Sequence, residues 1–131
     1  MANLLLELAN HLAQLDWIMG DGIDTFRNYQ PETPDEIVAL TEYRGVSSHY
    51  SLAGIRPVQI VVRHRSPDIA RERANELYRL LFDTEEDNLI VETEDRPWSI
   101  MTPINPPALL ERDEQERTIF SFNVSIVTTI D

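Results

Sequence analysis

Leu4, Leu5, Leu8, Leu12 and Leu15 recur at three- and four-residue spacing, with Glu7, Asn10 and Gln14 on the other side. This stripe predicts an amphipathic helix over residues 3–17, with Asn3 as its N-cap. Trp17, Ile18 and Met19 continue the apolar run until Gly20-Asp21-Gly22 breaks it, and Pro31 and Pro34 mark a turn-rich connection. Ile37-Val38-Ala39-Leu40-Thr41-Glu42-Tyr43 predicts a mostly buried strand. A polar loop is expected over residues 44–57, too long for a tight hairpin and therefore a candidate binding loop. Val58-Gln59-Ile60-Val61-Val62-Arg63 predicts the next strand.

Ser66-Pro67-Asp68 combines a capping hydroxyl, a proline suited to the first helical position and an acid at the positive end of the dipole. A helix should start there and end near Phe82 or Asp83, with Ala70, Ala74, Leu77, Tyr78 and Leu81 on its buried face. Leu89-Ile90-Val91-Glu92 predicts a short strand and Trp98-Ser99-Ile100-Met101 a possible further one. Pro103, Pro106 and Pro107 impose an extended or turning path. Phe120, Phe122, Val124 and Ile126 then alternate with Ser121, Asn123, Ser125 and Val127, as in a strand with one buried and one polar face. The expected architecture is a single α+β domain over residues 1–131: a mostly antiparallel sheet of about four strands, with two main helices packed on one face.

Composition changes this picture in two respects. All 11 basic residues are arginines against 23 acids, for a net charge of −12, so free nucleic acid and anionic membranes are poor partners. Arginine without lysine also suits bidentate contacts at interfaces. The absence of cysteine removes disulfides and thiolate ligands and fits a reducing compartment. The opening residues lack a basic n-region and place Glu7 inside the apolar run, unlike a signal peptide, and no stretch is long enough to span a bilayer.

Candidate chemistry is sparse. There is no Gly-x-Ser-x-Gly elbow, and no histidine lies within four residues of another, so neither a nucleophile elbow nor a zinc site is expected. The acidic run Asp83, Glu85, Glu86 and Asp87 lacks the glycine and ligand spacing of an EF-hand loop. Only four glycines are present, with neither a Walker loop nor a dinucleotide fingerprint. No catalytic, metal or cofactor residues are assigned. What remains is a set of contact-making candidates: Arg44, Gly45, Ser48, His49, Tyr50 and Arg56 in the long loop, Arg63 and Arg65 before the second helix, and Ser121, Asn123 and Ser125 on the polar side of the closing strand.

The order of these segments resembles the small minor capsid and tail terminator proteins of long-tailed phages. Residues 34–45 are similar to that family's first strand and following loop, departing from it at Arg44-Gly45 where a double glycine is more typical. Residues 58–63 resemble the next strand, residues 68–81 the helix after it, and the stretch from Pro103 through Asp113-Glu114 to Val124 the proline, acidic turn and closing strand. The resemblance implies a non-enzymatic virion protein of the tail or neck, assembled in the host cytoplasm. It implies a homo-oligomeric ring, expected as a hexamer, that caps the tail tube and meets the head connector while DNA passes through its lumen without specific binding. A head-completion or stopper protein of the neck is the alternative within virion assembly, and a small ligand-binding or regulatory domain the alternative outside it.

Overall fold

The computed structural model describes residues 4–43, 53–82, 89–91 and 99–129. Helix α1 (Leu4–Leu12) leads to strands β1 (Thr25–Arg27), β2 (Ile37–Glu42) and β3 (Ala53–His64). Helix α2 (Pro67–Phe82) follows, then β4 (Leu89–Val91), β5 (Ser99–Arg112) and β6 (Thr118–Thr129). The strands form one sheet in the order β1-β2-β3-β6-β5-β4, antiparallel throughout except for β1, which runs parallel to β2.

The α+β expectation holds, with both helices on one face. Leu5, Leu8, Ala9 and Leu12 of α1 and Ala70, Ala74, Leu77 and Leu81 of α2 share a core with Val38, Leu40, Val58, Ile60, Val62, Phe120, Phe122, Val124 and Ile126. These strand positions alternate, as a pleated strand requires, so one sheet face meets both helices. The intervening residues Ile37, Ala39, Val61 and Ile119 join Phe26 in a second, smaller core on the opposite face. Consequently β2 and the middle of β3 are buried on both sides, which is why Ile37-Val38-Ala39-Leu40 is continuously apolar.

Three boundaries differ from the sequence expectation. α1 stops at Leu12, and the chain continues in turns in which Gln14, Leu15 and Ile18 N–H groups donate to the carbonyls of His11, Leu12 and Leu15. These tighter turns let Leu15, Trp17 and Ile18 all pack on the core. β3 begins at Ala53, inside the stretch expected as loop, and runs through Pro57. The Pro57 carbonyl accepts the Tyr43 N–H just past the end of β2, so its missing N–H points toward the same vacated side and the ladder to β6 is intact.

The third difference is β5, which continues through all three prolines. Pro103 pairs with Val124, whereas Pro106 and Pro107 fall in a register shift between Asn105 and Ala108. An extended φ suits proline, and a bulge removes the need for its absent donor. Among the described residues β4 pairs with β5 only as far as Met101, so these prolines lie on a strand whose outer side has no described neighbour. Among the described residues the sheet has six strands rather than about four: β4 stands where a short strand was expected, the possible strand at 98–101 is part of β5, and β1 is the addition.

At the helix start the expectation is met in detail. The Ser66 hydroxyl accepts the Ile69 N–H at 3.3 Å, Pro67 opens α2 and Asp68 lies in its first turn. His64 links strand to helix: its Nδ1 accepts the Ser66 N–H at 2.9 Å, which leaves Nε2 to donate to Glu36 Oε1 at 2.9 Å.

Candidate functional site

The sequence-derived contact residues separate into groups with different physical roles. Arg44, Gly45, Ser48, His49 and Tyr50 lie outside the described residues. Arg56, on β3, makes a bidentate pair with Glu42 of β2 at 2.6 and 2.7 Å. Hydrogen bonding by the Arg56 guanidinium holds the Glu42 carboxyl below its ordinary range, against the opposing effect of desolvation.

Arg63 is buried and committed to this chain's own backbone. Its Nη2 donates to the carbonyls of Pro31 at 2.6 Å and Pro34 at 2.7 Å, and its Nε to that of Asp35 at 3.2 Å. Arg117, also buried, donates from Nε to Asp113 Oδ2 at 2.7 Å and from Nη1 to the Glu32 carbonyl. Two guanidinium groups thus fasten residues 31–35 to the end of the sheet where β3 finishes and β6 begins. Burial, followed by the charge of Arg117, pushes the Arg63 pKa below the usual arginine value, although a guanidinium remains protonated at neutral pH.

Arg65 is exposed and pairs with Asp35 at 2.6 Å. Asp35 also lies 3.5 Å from Arg117, and the Arg65 hydrogen bond is the first cause of its lowered pKa. Arg56 sits at the other end of β3 from Arg63, about 23 Å away along an extended strand. On β6, Ser121 is buried, and Asn123 and Ser125 are half-buried on the face away from the helices, where Asn123 Nδ2 donates to Asn105 Oδ1 at 2.8 Å. Among the described residues, Arg56, Arg63, Arg65, Ser121, Asn123 and Ser125 therefore do not converge on one site.

Asp113 organises the β5–β6 turn. Its Oδ1 accepts the N–H groups of Gln115 and Arg117, at 3.0 and 2.9 Å, while Glu116 takes a φ of 60°. Desolvation alone would raise the Asp113 carboxyl, but the backbone N–H and guanidinium of Arg117 outweigh it and hold the pKa low. Depressed carboxylates contribute stability that is complete above their unfolded pKa of about 4 and is lost as pH falls through that value toward the folded one. Unfolding free energy should therefore fall as the pH drops below about 5, and Asp113→Asn should flatten the fall. An identical pH slope in that variant would remove Asp113 from the account.

Two surfaces that the sequence did not single out are more prominent. One is an open cleft of ≈ 740 Å³ lined by Trp17, Met19, Ile23, Pro34, Ile37, Val38 and Arg73, with Asp24, Thr33, Asp35 and Glu36. Gly20 and Gly22, at φ of 133° and 84°, shape the turn that carries Met19 and Ile23, and Asp24 fixes it by accepting the Met19 N–H at 2.9 Å. Arg73 lies over the Trp17 ring at 4.7 Å, and Trp17 Nε1 donates to Glu76 Oε2 at 2.9 Å, so α2 holds the back of the cleft. The other surface is a ridge on β5 formed by Ile104, Leu109 and Leu110, each at least half exposed. The available signal was apolar residues in turn-rich or proline-rich stretches, where periodicity offers them no core to enter.

Among the described residues no group of three or more His, Asp or Glu side chains is placed to hold a metal ion, and no helix is long and apolar enough to cross a membrane. Compared with known families, residues 11–130 match the family model described as "Bacteriophage tail terminator protein". No curated protein matches the chain.

Proposed function

The chain belongs to the bacteriophage tail terminator family, a family of structural tail proteins of the virion, and from that premise we propose that it assembles as a ring capping the finished tail tube. The ring is expected as a hexamer, formed in the host cytoplasm, with one face on the tube and the other toward the head connector. The observation that carries this is the family match over residues 11–130, which supports a terminator over a neck stopper or a small ligand-binding domain.

Composition fits the role. A net charge of −12 with no lysine gives a surface that repels DNA, a useful property if that surface borders the channel. Subunit and partner contacts are proposed at the loop residues Arg44, Gly45, Ser48, His49 and Tyr50 and at Arg56, Arg65, Asn123 and Ser125. Arg63 and Ser121, being buried, would support this surface from within rather than touch a neighbour.

Negative-stain imaging of the protein mixed with tail tubes tests the assignment. Density at one end of the tube is the expected result. Binding to connector-bearing heads without tails would favour the stopper role instead, and association with neither particle would defeat a role at the head–tail joint.

A further inference from the structure

We propose that subunits of the ring meet head to tail, the Ile104, Leu109 and Leu110 ridge of one copy seating in the Met19, Ile23 and Pro34 cleft of the next. This rests on the ring assembly proposed above and names the contact that would build it.

A cyclic ring needs two different, complementary patches on each subunit, facing in opposite directions. Strand register supplies the placement. Val38 pairs with Val62, Val62 with Phe120, and Phe120 with Leu109, so a residue lining the cleft and a residue of the ridge lie in one row across the sheet. Three strand spacings, roughly 14 Å, separate them. One patch is on the β1–β2 side and the other on the β5 side. A second copy displaced along the hydrogen-bonding direction would present its ridge to this cleft at the same height.

Exposure agrees with that placement. Met19 is 75% and Ile23 57% exposed at the cleft, and Leu109 is 60% and Ile104 54% exposed on β5. Apolar groups this accessible gain from mutual burial. The rims also match in charge. Exposed Arg112 follows the ridge, and its only described hydrogen bond is to the Glu116 carbonyl at 3.4 Å. The cleft offers Glu36, whose side chain is 54% exposed despite its contacts with His64 and Arg73.

Ridge against ridge is a poorer arrangement. It would bring together Glu111, Glu114 and Glu116 from both copies, all exposed, with Arg112 as the one exposed cation of that turn on each side, since Arg117 is buried against Asp113. Strand pairing between two β5 edges is impeded by Pro103, Pro106 and Pro107 and by the register shifts around them.

Because the chain contains no cysteine, the contact can be tested with introduced thiols. The variant carrying both Ile23→Cys and Leu110→Cys should, on mild oxidation, give a ladder of disulfide-linked multimers ending at the ring size. Each single variant should stay monomeric on a non-reducing denaturing gel, and an equal mixture of the two should stop at dimers. Dimers from Leu110→Cys alone would overturn the proposal in favour of a two-fold contact. Multimers of the unmodified protein in sedimentation, with no ladder from the double variant, would overturn this contact while leaving the ring intact. A monomer by sedimentation, alone and with tail tubes, would overturn both. As a second measure, Leu110→Asp should weaken self-association at least tenfold without changing the circular dichroism spectrum.

Discussion

Arg63→Ala should lower the unfolding free energy by about 3 kcal/mol, within the range for removing one partner of a buried charged network. The guanidinium is 3% exposed and donates to the carbonyls of Pro31, Pro34 and Asp35, none of which belongs to a helix or strand that would otherwise pair it. Deleting it strands those acceptors beside the buried Arg117, which cannot replace it because its own Nε and Nη1 are engaged with Asp113 and the Glu32 carbonyl. For a domain of this size the loss corresponds to a melting temperature lower by roughly 10 °C. Arg63→Lys should recover little, since one ammonium group cannot reproduce the planar fork that reaches several carbonyls at once. Thermal and urea unfolding of both variants provide the check. A shift of under about 1 kcal/mol in Arg63→Ala would mean that the backbone of residues 31–35 finds water or other donors instead.

That arginine also shows where sequence stops being informative. Arg63-His64-Arg65 reads as a surface basic cluster, and Arg65 is exposed. Arg63 is not, because strand alternation turns it toward the second core beside Val61. Its acceptors are backbone carbonyls about thirty residues earlier, which no side-chain pattern records. The same cause hides Ser121: a polar residue alternating with Phe120 and Phe122 suggests solvent, whereas the centre of this sheet is covered on both faces.

Local signals were legible in proportion to how local their physics is. The cap at Ser66-Pro67, the apolar stripe of α2 and the alternation of β6 all depend on neighbours within a few residues, and each appears where expected. β1 is three residues long and exists because Val38 to Leu40 offers a parallel edge, so its cause lies in the partner strand. β5 was obscured by prolines that normally argue against a strand and are admitted here by bulges. The ridge and the cleft were missed for a related reason: each is assembled by register and turn geometry from residues that look incidental one at a time.

The largest single-residue effect is expected at the crossing of α2 and β6. Phe122 is fully buried, paired across the sheet with Ile60 and met edge-on by the Tyr78 ring at a centroid distance of 5.4 Å. Tyr78 is in turn 5.0 Å from Phe82, so one aromatic chain ties the closing strand to the last two turns of the helix. Phe122→Ala removes the ring and leaves a cavity that strands paired on both sides cannot collapse to fill, at a cost of about 4 kcal/mol. Phe122→Leu should cost about 1.5 kcal/mol, because most of the volume is kept. Phe120→Ala is the informative comparison. Phe120, in the same doubly paired strand, is 6% exposed under Arg71, whose guanidinium lies 5.7 Å from the ring, and it lacks the edge-on contact with Tyr78, so the loss should be smaller. Equal losses at both positions in urea unfolding would argue that burial alone, rather than the aromatic tie to α2, sets the energy. A further consequence separates them: α2 carries Arg73 and Glu76, the groups that hold Trp17 at the back of the cleft. In a Trp98→Phe background, which leaves Trp17 as the single tryptophan, loosening the helix through Phe122 should increase acrylamide quenching below the melting temperature, whereas Phe120→Ala should leave it near the unmodified value.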